Sequence, residues 1–272
     1  MTMASGRPLL EDIDVFCASG LDERVAALHE LCKHLGPDWS PGTPTLAEDS
    51  LPLRHLPTGL DFVAVPGGEF EMGLTEEDLR AASYFADWTV YLAEDADSLR
   101  KDLGPPRRVR VAPFLVARRL LSTRDAGTIQ MPRGALERRH LVETDFSSAI
   151  ELASNLSLRL PSEAEIEWCL RDGGRSRLVL GLFEWYMGAL ASYADALRSR
   201  FGLDELDVKQ WAVSVRDDPR DSAAPGTARP GDDGVIRSGG FGPVLVSDVE
   251  VFGALPGRRY RHPPAAIRLC AR

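Results

Sequence analysis

Asparagine, lysine and cysteine are scarce in this sequence. Asn155 is the only asparagine among 272 residues, and the lysines are so few that arginine carries nearly all of the positive charge. The cysteines form no C-x-x-C pair, and scattered cysteines of this kind are typical of buried thiols in a reducing compartment. They are Cys17, Cys32, Cys169 and Cys270.

A positive net charge and long apolar runs are also missing. The formal net charge is −9, which disfavours a nucleic-acid partner because a phosphate backbone requires a basic face. No run approaches the roughly 18 apolar residues of a membrane span. The first residues, MTMASGRPLLEDIDVF, have acids where a signal peptide needs its apolar core. We therefore expect a cytoplasmic protein with neither a nucleic-acid nor a membrane partner.

Residues 1–57 are predicted to form an N-terminal helix and a proline-rich arm. The helix is expected over 9–36, with Ser19 and Asp22 as a capping box and Gly36 near its end. Five prolines then predict an extended, irregular segment over 37–57 rather than a helix or strand. The predicted apolar stripe of the helix consists of Val25, Leu28, Leu31, Cys32 and Leu35.

A different pattern begins near residue 58 and continues to residue 272. FVAVPGGEFEMG predicts a β-hairpin, and RRVRVAPFLV predicts two strands around Pro113. Helices are expected at 145–156 and 183–200, and short strands return after residue 231. Short strands with segregated helices indicate an α+β domain with little regular secondary structure.

The segment RLPSEAEIEWCLRDGG, residues 159–174, is the most completely specified helix of the chain. Ser162 and Glu165 form a capping box, and the glycines at the end stop the helix. The acids Glu163, Glu165 and Glu167 have two interpretations. They are solvated or paired structural groups, or they are acid/base catalysts.

These motifs, in this order, resemble the formylglycine-generating enzyme family, or sulfatase-modifying-factor domain. The resemblance covers about residues 58–272 and implies a variant of the C-type lectin fold. The family's R-L-P-[TS]-E-A-E-W-E segment matches at Arg159–Glu167 and is the most specific mark. The weaker marks are Phe70–Gly73, Pro105–Phe114, Val235–Phe241 and Ala266–Leu269.

The resemblance implies a copper(I) site that this sequence lacks the ligands to build. In the oxidase members, two cysteines after the R-G-G-S-W strand bind copper(I), because soft thiolates suit that ion. Here the matching interval, residues 241–265, contains no cysteine. A reactive pair of Cys169 and Cys270 is the remaining alternative. We expect no copper cofactor and no copper-dependent oxidation of cysteine.

Other cofactors of the family are not favoured either. The iron-dependent branch needs an N-terminal bundle with three histidines, and the histidines here show no metal-ligand spacing. The family's calcium loop, G-N-V-W-E-W, corresponds to residues 202–211, where the Gly-Asn pair is missing. Calcium held by Asp204, Glu205 and Asp207 remains an alternative to a solvated acidic turn.

Three functional hypotheses remain. The first is a binding or accessory protein that recognises a peptide or partner protein in the groove that the family uses. The second is an enzyme with a non-cysteine site in that groove, built from Arg237, Asp248, Glu250, Tyr260 or His262. The third is a structural partner that docks through its N-terminal helix and arm. The candidate groove residues are Trp211, Arg237, Phe241, Arg258, Arg259, Tyr260 and His262.

Overall fold

The structure is a computed structural model that describes most of the N-terminal half of the chain and parts of the rest. The described residues are 7–73, 106–131, 136–138, 140–175, 199–204, 210–213, 234–237, 250–251 and 265–271. None of the helices in these ranges is both long and apolar enough to cross a bilayer. Of the predicted helix at 183–200, only residues 199 and 200 are described, and neither is helical; its aromatic residues lie outside the described residues.

The N-terminal region contains three helices rather than the single one predicted over 9–36. They are α1 (Arg7–Leu10), α2 (Ile13–Ala18) and α3 (Leu21–Leu35). The capping box of α3 pairs Gly20 with Glu23, so the predicted pair was wrong by one residue. The predicted helix is interrupted before α2, because the Asp12 side chain caps α2 by accepting hydrogen bonds from two of its amides.

The packed face of α3 also differs from the predicted stripe. Leu28 and Cys32 are buried, and Leu31 and Leu35 pack against the same core. Val25 is exposed instead, and the buried position on that turn belongs to Arg24. These helices pack on the domain, since Ile13, Phe16 and Leu28 are all core residues.

A five-stranded antiparallel sheet forms the centre of the fold. Its order is β1 (Trp39–Pro41), β2 (Leu51–His55), β3 (Leu60–Val65), β6 (Phe114–Ala117) and β13 (Cys270–Ala271). The prediction of an irregular arm over 37–57 was therefore wrong at β1 and β2. Strands from both sides of residue 57 lie in one sheet, because β2 pairs along its whole length with β3.

The predicted hairpin at 62–73 has its two strands but not their pairing. Strand β3 already has β2 and β6 on its two edges, so β4 (Gly68–Met72) pairs instead with β5 (Arg107–Val111) in a separate ribbon. The turn between β3 and β4 packs against α1 and α2. Its Gly67 donates a backbone hydrogen bond to Leu10 and accepts one from Ile13. A Cβ at Gly67 would lie 2.4 Å from the carbonyl oxygen of Val111.

A third sheet contains the strands that carry two candidate groove residues. Its order is β11 (Glu250–Val251), β10 (Gly234–Arg237), β9 (Gln210–Val213), β12 (Ala265–Ala266), β8 (Leu141–Thr144) and β7 (Leu136–Arg138). The pairs are antiparallel except β9 with β12. A 3-10 helix, Thr123–Gly127, precedes this sheet in the chain.

The central sheet is buried on both faces. Phe62 and Ala64 of β3 belong to one core cluster, whereas Val63 and Val65 belong to the other, as the alternation of a strand requires. Helix α4 (Phe146–Asn155) packs in the first cluster with α3, and α5 (Glu163–Leu170) packs in the second beside the ribbon. The α+β class is confirmed. The helices expected at 145–156 and after Pro161 are present.

Candidate functional site

The arginine of the R-L-P-S-E segment is paired inside the protein. Arg159 donates from Nη1 and Nη2 to the two Glu165 carboxylate oxygens, at 2.8 and 2.6 Å, and both side chains are about 95% buried. Burial opposes the charge on Arg159, but the Glu165 carboxylate outweighs it and raises the pKa of the guanidinium. The same carboxylate accepts from the Ser162 amide, and the Ser162 hydroxyl accepts from the Glu165 amide. The predicted capping box is confirmed.

A second carboxylate of α5 is engaged in a similar way. Glu167 accepts from Arg171 Nε at 2.9 Å and from the Gly73 amide at 2.8 Å. Arg171 in turn donates to the carbonyl of Gly73. The pair therefore ties the end of α5 to the end of β4. Trp168, on the same helix, donates its indole N–H to the Pro66 carbonyl at 2.9 Å.

This geometry favours the structural interpretation of the acids. Glu165 and Glu167 are almost completely buried, and their oxygens are bonded to an arginine and to backbone amides. A general acid or base must reach a substrate proton within hydrogen-bond distance, which these oxygens could do only by giving up those bonds. Glu163 is buried as well, with 3% of its surface exposed.

The two cysteines at the closing strand have the properties of core residues. Cys169 and Cys270 are free, buried and members of one core cluster. Burial raises the pKa of both thiols, and the neighbouring Cys270 raises that of Cys169 further. A thiolate is the form that binds copper(I) or attacks a substrate, and burial in the core disfavours that form at both cysteines.

Beside the candidate groove strands, Arg268 holds three segments together. It donates from Nε to Gln210 Oε1 at 2.7 Å, from Nη1 to the carbonyls of Ala117 and Arg118, and from Nη2 to that of Asp204. Gln210 is fully buried, and its amide Nε2 has no hydrogen-bond partner in the described part of the chain. A buried donor of this kind is commonly satisfied by an ordered water.

The structure places the backbone of two candidate groove residues on neighbouring strands. Arg237 of β10 lies opposite Gln210 of β9, and Trp211 lies opposite Ile236. These are successive register pairs of one ladder. The positions of Trp211 and Arg237 therefore lie on opposite faces of the sheet. The other candidates are outside the described residues. They are Phe241, Arg258, Arg259, Tyr260 and His262.

The described residues offer little to a metal ion. No group of three or more His, Cys, Asp or Glu side chains suitable for a metal occurs in the described ranges. Of the calcium alternative, only Asp204 falls within them, and its carbonyl accepts from Arg268. Glu205 and Asp207 are outside the described residues. His29 and His34 are both exposed on α3.

Sequence reasoning missed Arg24, the buried cation of the N-terminal region. Its guanidinium lies 4.4 Å from the Phe16 ring centroid and donates to the carbonyls of Phe16, Thr45 and Glu48. Arg24 precedes Ala27 and Leu28 by three and four residues. The helical period therefore placed it on the packed face, although its charge suggested otherwise.

Comparison with protein-family models gives no match for this chain. Comparison with curated proteins gives no significant match either.

Proposed function

We propose that this protein is a divergent relative of the formylglycine-generating enzymes that binds a peptide or a partner protein and does not oxidise cysteine. The observation that carries the proposal is that the acidic and thiol groups of the described core are engaged in structural contacts or buried. Glu165 and Glu167 are bonded to Arg159 and Arg171 inside the protein, and the thiols of Cys169 and Cys270 are buried. These groups therefore support the fold, and the proposed recognition site uses other residues.

The kinship rests on the order of the sequence marks and on what surrounds them. The R-L-P-S-E segment forms a capped helix start with a buried arginine–carboxylate pair, as expected of a scaffold element. Cys270 of the closing strand β13 exchanges two backbone hydrogen bonds with Arg159. The mixed α+β architecture is compatible with a lectin-like fold, which presents variable loops on a stable core.

The recognition site that we propose combines the end of β10 with a basic run later in the sequence. Arg237 is the last residue of β10, and the basic run of Arg258, Arg259, Tyr260, Arg261 and His262 lies further along the chain. Guanidinium groups beside an aromatic ring suit a carboxylate, so the ligand would be an extended chain with acidic groups. Since the net charge is −9, this attraction would be local and salt-sensitive.

Copper and peptide experiments on the full chain test this proposal. Titration with copper(I) should give no stoichiometric tight complex, and a sulfatase-type cysteine peptide should keep its mass. An immobilised panel of extended acidic peptides should be captured by the wild type and about tenfold more weakly by Arg258→Ala/Arg259→Ala at an unchanged melting temperature. Capture unaffected by the double substitution would move the site elsewhere. Conversion of a captured peptide would favour the alternative, an enzyme with a non-cysteine site.

A further inference from the structure

The edge strand β1 of the central sheet is anchored at its first residue by an aromatic contact. Among the described strands β1 pairs with β2 alone, and its register sets Trp39 opposite His55. The centroids of these two rings are 4.7 Å apart, and the ring of Phe62 in β3 lies edge-on to both. His55 itself is buried. The side-chain anchor of this three-residue strand is therefore the imidazole of His55.

The hydrogen bonds around Thr58 decide where His55 carries its proton. The Thr58 hydroxyl accepts a bond from the Leu60 amide at 3.3 Å and lies 2.9 Å from His55 Nδ1. A hydroxyl has one proton to donate, and Nδ1 is the one acceptor bonded to this hydroxyl in the described part of the chain. Nδ1 is therefore the acceptor of this bond, and the imidazole is neutral.

Protonation of His55 is incompatible with this arrangement. A proton on Nδ1 would make the imidazole a donor, so that the Thr58 oxygen would accept from both His55 and Leu60. The hydroxyl proton would then be left without an acceptor among the described residues, in a side chain that is only 2% exposed. Burial of the ring opposes its charge as well and lowers the pKa of His55.

The charged groups around this imidazole do not compensate for these losses. Asp38, directly before β1, favours the charged form, but its side chain is exposed and open to screening by salt. Arg54 and Asp61 lie at the adjacent register pair, on the opposite face of the sheet, and they pair with each other. Helix α3 also contacts β1 and β2, and its Lys33 and His34 are exposed cations that would not neutralise an imidazolium.

We propose that His55 and Thr58 form a pH-sensitive latch, which holds the edge strand β1 on the sheet at neutral pH and releases it in mild acid. When β1 opens, water reaches the imidazole and the Thr58 hydroxyl, so a charge on His55 favours the open form. A short edge strand opens locally at a lower cost than the centre of a sheet. Release would uncover the outer edge of β2, on which another strand could pair. The latch lies apart from the residues of the proposed recognition site.

Native-state hydrogen exchange of the full chain tests the latch. The amides of Gly42 and Leu56 donate across the join of β1 and β2, whereas those of Ala117 and Arg118 donate in the centre of the sheet. After correction for intrinsic rates, the first two should exchange through a local opening that low urea does not promote. From about pH 7 to pH 5 this opening should become about three- to 25-fold more frequent, the upper limit for a histidine with an ordinary pKa of about 6.5. Ala117 and Arg118 should exchange through urea-sensitive unfolding.

Two variants separate the latch from other effects of pH. His55→Phe keeps a ring against Trp39 but takes up no proton, so the local opening should no longer depend on pH. His55→Phe/Thr58→Val, which also removes the hydroxyl, serves if the first variant is unstable. The exposed His29→Gln is the control and should follow the wild type.

Three results would overturn the proposal. The first is a wild-type opening at the β1–β2 join that is unchanged or rarer in mild acid, because the Trp39 ring and the Asp38 carboxylate would then stabilise the charged imidazole. The second is an undiminished dependence on pH in both His55 variants. The third is exchange of the Gly42 and Leu56 amides only through the urea-sensitive unfolding, which would mean that β1 does not open by itself.

Discussion

At the scale of single residues, the interior of this protein holds its cations in two ways. Arg159 and Arg171 are paired with carboxylates, whereas Arg24 and Arg268 are surrounded mainly by backbone carbonyls. A carbonyl cannot neutralise the charge, but several carbonyls satisfy the five N–H donors of a guanidinium. Each buried arginine consequently fixes the backbone segments whose carbonyls it binds. Removal of the partner of a buried arginine should lower the free energy of unfolding far more than removal of the partner of an exposed one.

The Arg159–Glu165 pair allows a direct comparison with an exposed pair. Glu165→Gln should lower the free energy of unfolding by about 3–5 kcal/mol, because it leaves a buried guanidinium without its counter-charge. Asp61→Asn, which breaks the exposed pair with Arg54, should cost less than about 1 kcal/mol. Urea unfolding of both variants measures the difference. Similar losses in the two variants would contradict a dominant role for burial.

His55 gives the fold a predictable dependence on pH. Burial lowers the pKa of His55, whose Nδ1 lies 2.9 Å from the Thr58 hydroxyl, while the Asp38 carboxylate acts in the opposite direction. Because the folded state binds the proton less readily than the unfolded chain, the contribution of His55 is complete above about pH 6.5. It is lost as the pH falls below that value toward the lowered pKa.

Urea unfolding between about pH 7 and pH 5 tests this dependence. The free energy of unfolding of the wild type should decline across this window. In His55→Leu the decline should be smaller, although the variant is less stable at neutral pH. The exposed His29→Gln is the control and should follow the wild type. An identical decline in His55→Leu would assign the effect to another group.

Local chemistry at this scale was readable from the sequence where a motif has its own mechanism. The capping box of Ser162 and Glu165 was predicted and is present, because its bonds span only three residues. The burial of Arg24 was not predicted, since its carbonyl partners at Thr45 and Glu48 come from a segment about twenty residues away. For the same reason Val25, which was predicted on the apolar stripe, is exposed.

At the scale of elements, α2 is a small helix with a large role in packing. Its Phe16 is completely buried in the first core cluster, and Ile13 belongs to the second. The helix therefore contributes side chains to the cores on both faces of the central sheet. Gly173, with a φ of +73°, lets the end of α5 approach, since a Cβ there would lie 3.1 Å from Ile13.

Two neighbouring substitutions in α2 test its place in the core. Phe16→Ala should lower the free energy of unfolding by about 3–5 kcal/mol, the range for a buried phenylalanine. Val15→Ala, at the exposed adjacent position, should change it by no more than about 0.5 kcal/mol. Thermal or urea unfolding distinguishes the two. A mild effect of Phe16→Ala would mean that α2 unfolds separately from the rest.

The elements themselves were more predictable than their partners. Alternating apolar residues located β5 and β6, and the apolar period located α4. Pairing was missed where it depends on distant strands: β3 has both edges occupied by β2 and β6, so β4 had to find another partner. Prolines in 37–57 suggested an irregular arm, yet Pro41 and Pro52 lie within β1 and β2.

At the scale of the whole molecule, the two large core clusters of the described residues share one sheet. Each of β3 and β6 contributes alternate side chains to both clusters, so neither cluster can open without disturbing the strands that support the other. Because the clusters share these strands, we expect them to unfold in one cooperative step. The candidate site is less determined at this scale, because five of its seven residues lie outside the described ranges and only Trp211 and Arg237 have a register.

The two clusters should unfold together. Phe62→Ala perturbs the first cluster and Val63→Ala the second, yet each should shift one common transition to lower urea without splitting it. Far-ultraviolet circular dichroism and tryptophan fluorescence should give coincident curves for the wild type and both variants. Non-coincident curves in either variant would show that the clusters unfold independently.

The closing contacts of Arg268 and β13 have a kinetic consequence. Arg268 bonds the carbonyl of Ala117, 151 residues earlier, and Ser50 bonds Phe201 across the same separation. Since loop closure must precede such contacts, native topology of this kind is associated with slow folding, on the order of milliseconds to seconds. The edge of β6 with which β13 pairs remains open during that interval. A folding chain would therefore expose an unpaired strand edge until its last strand pairs. A chaperone would bind the chain most readily during that period.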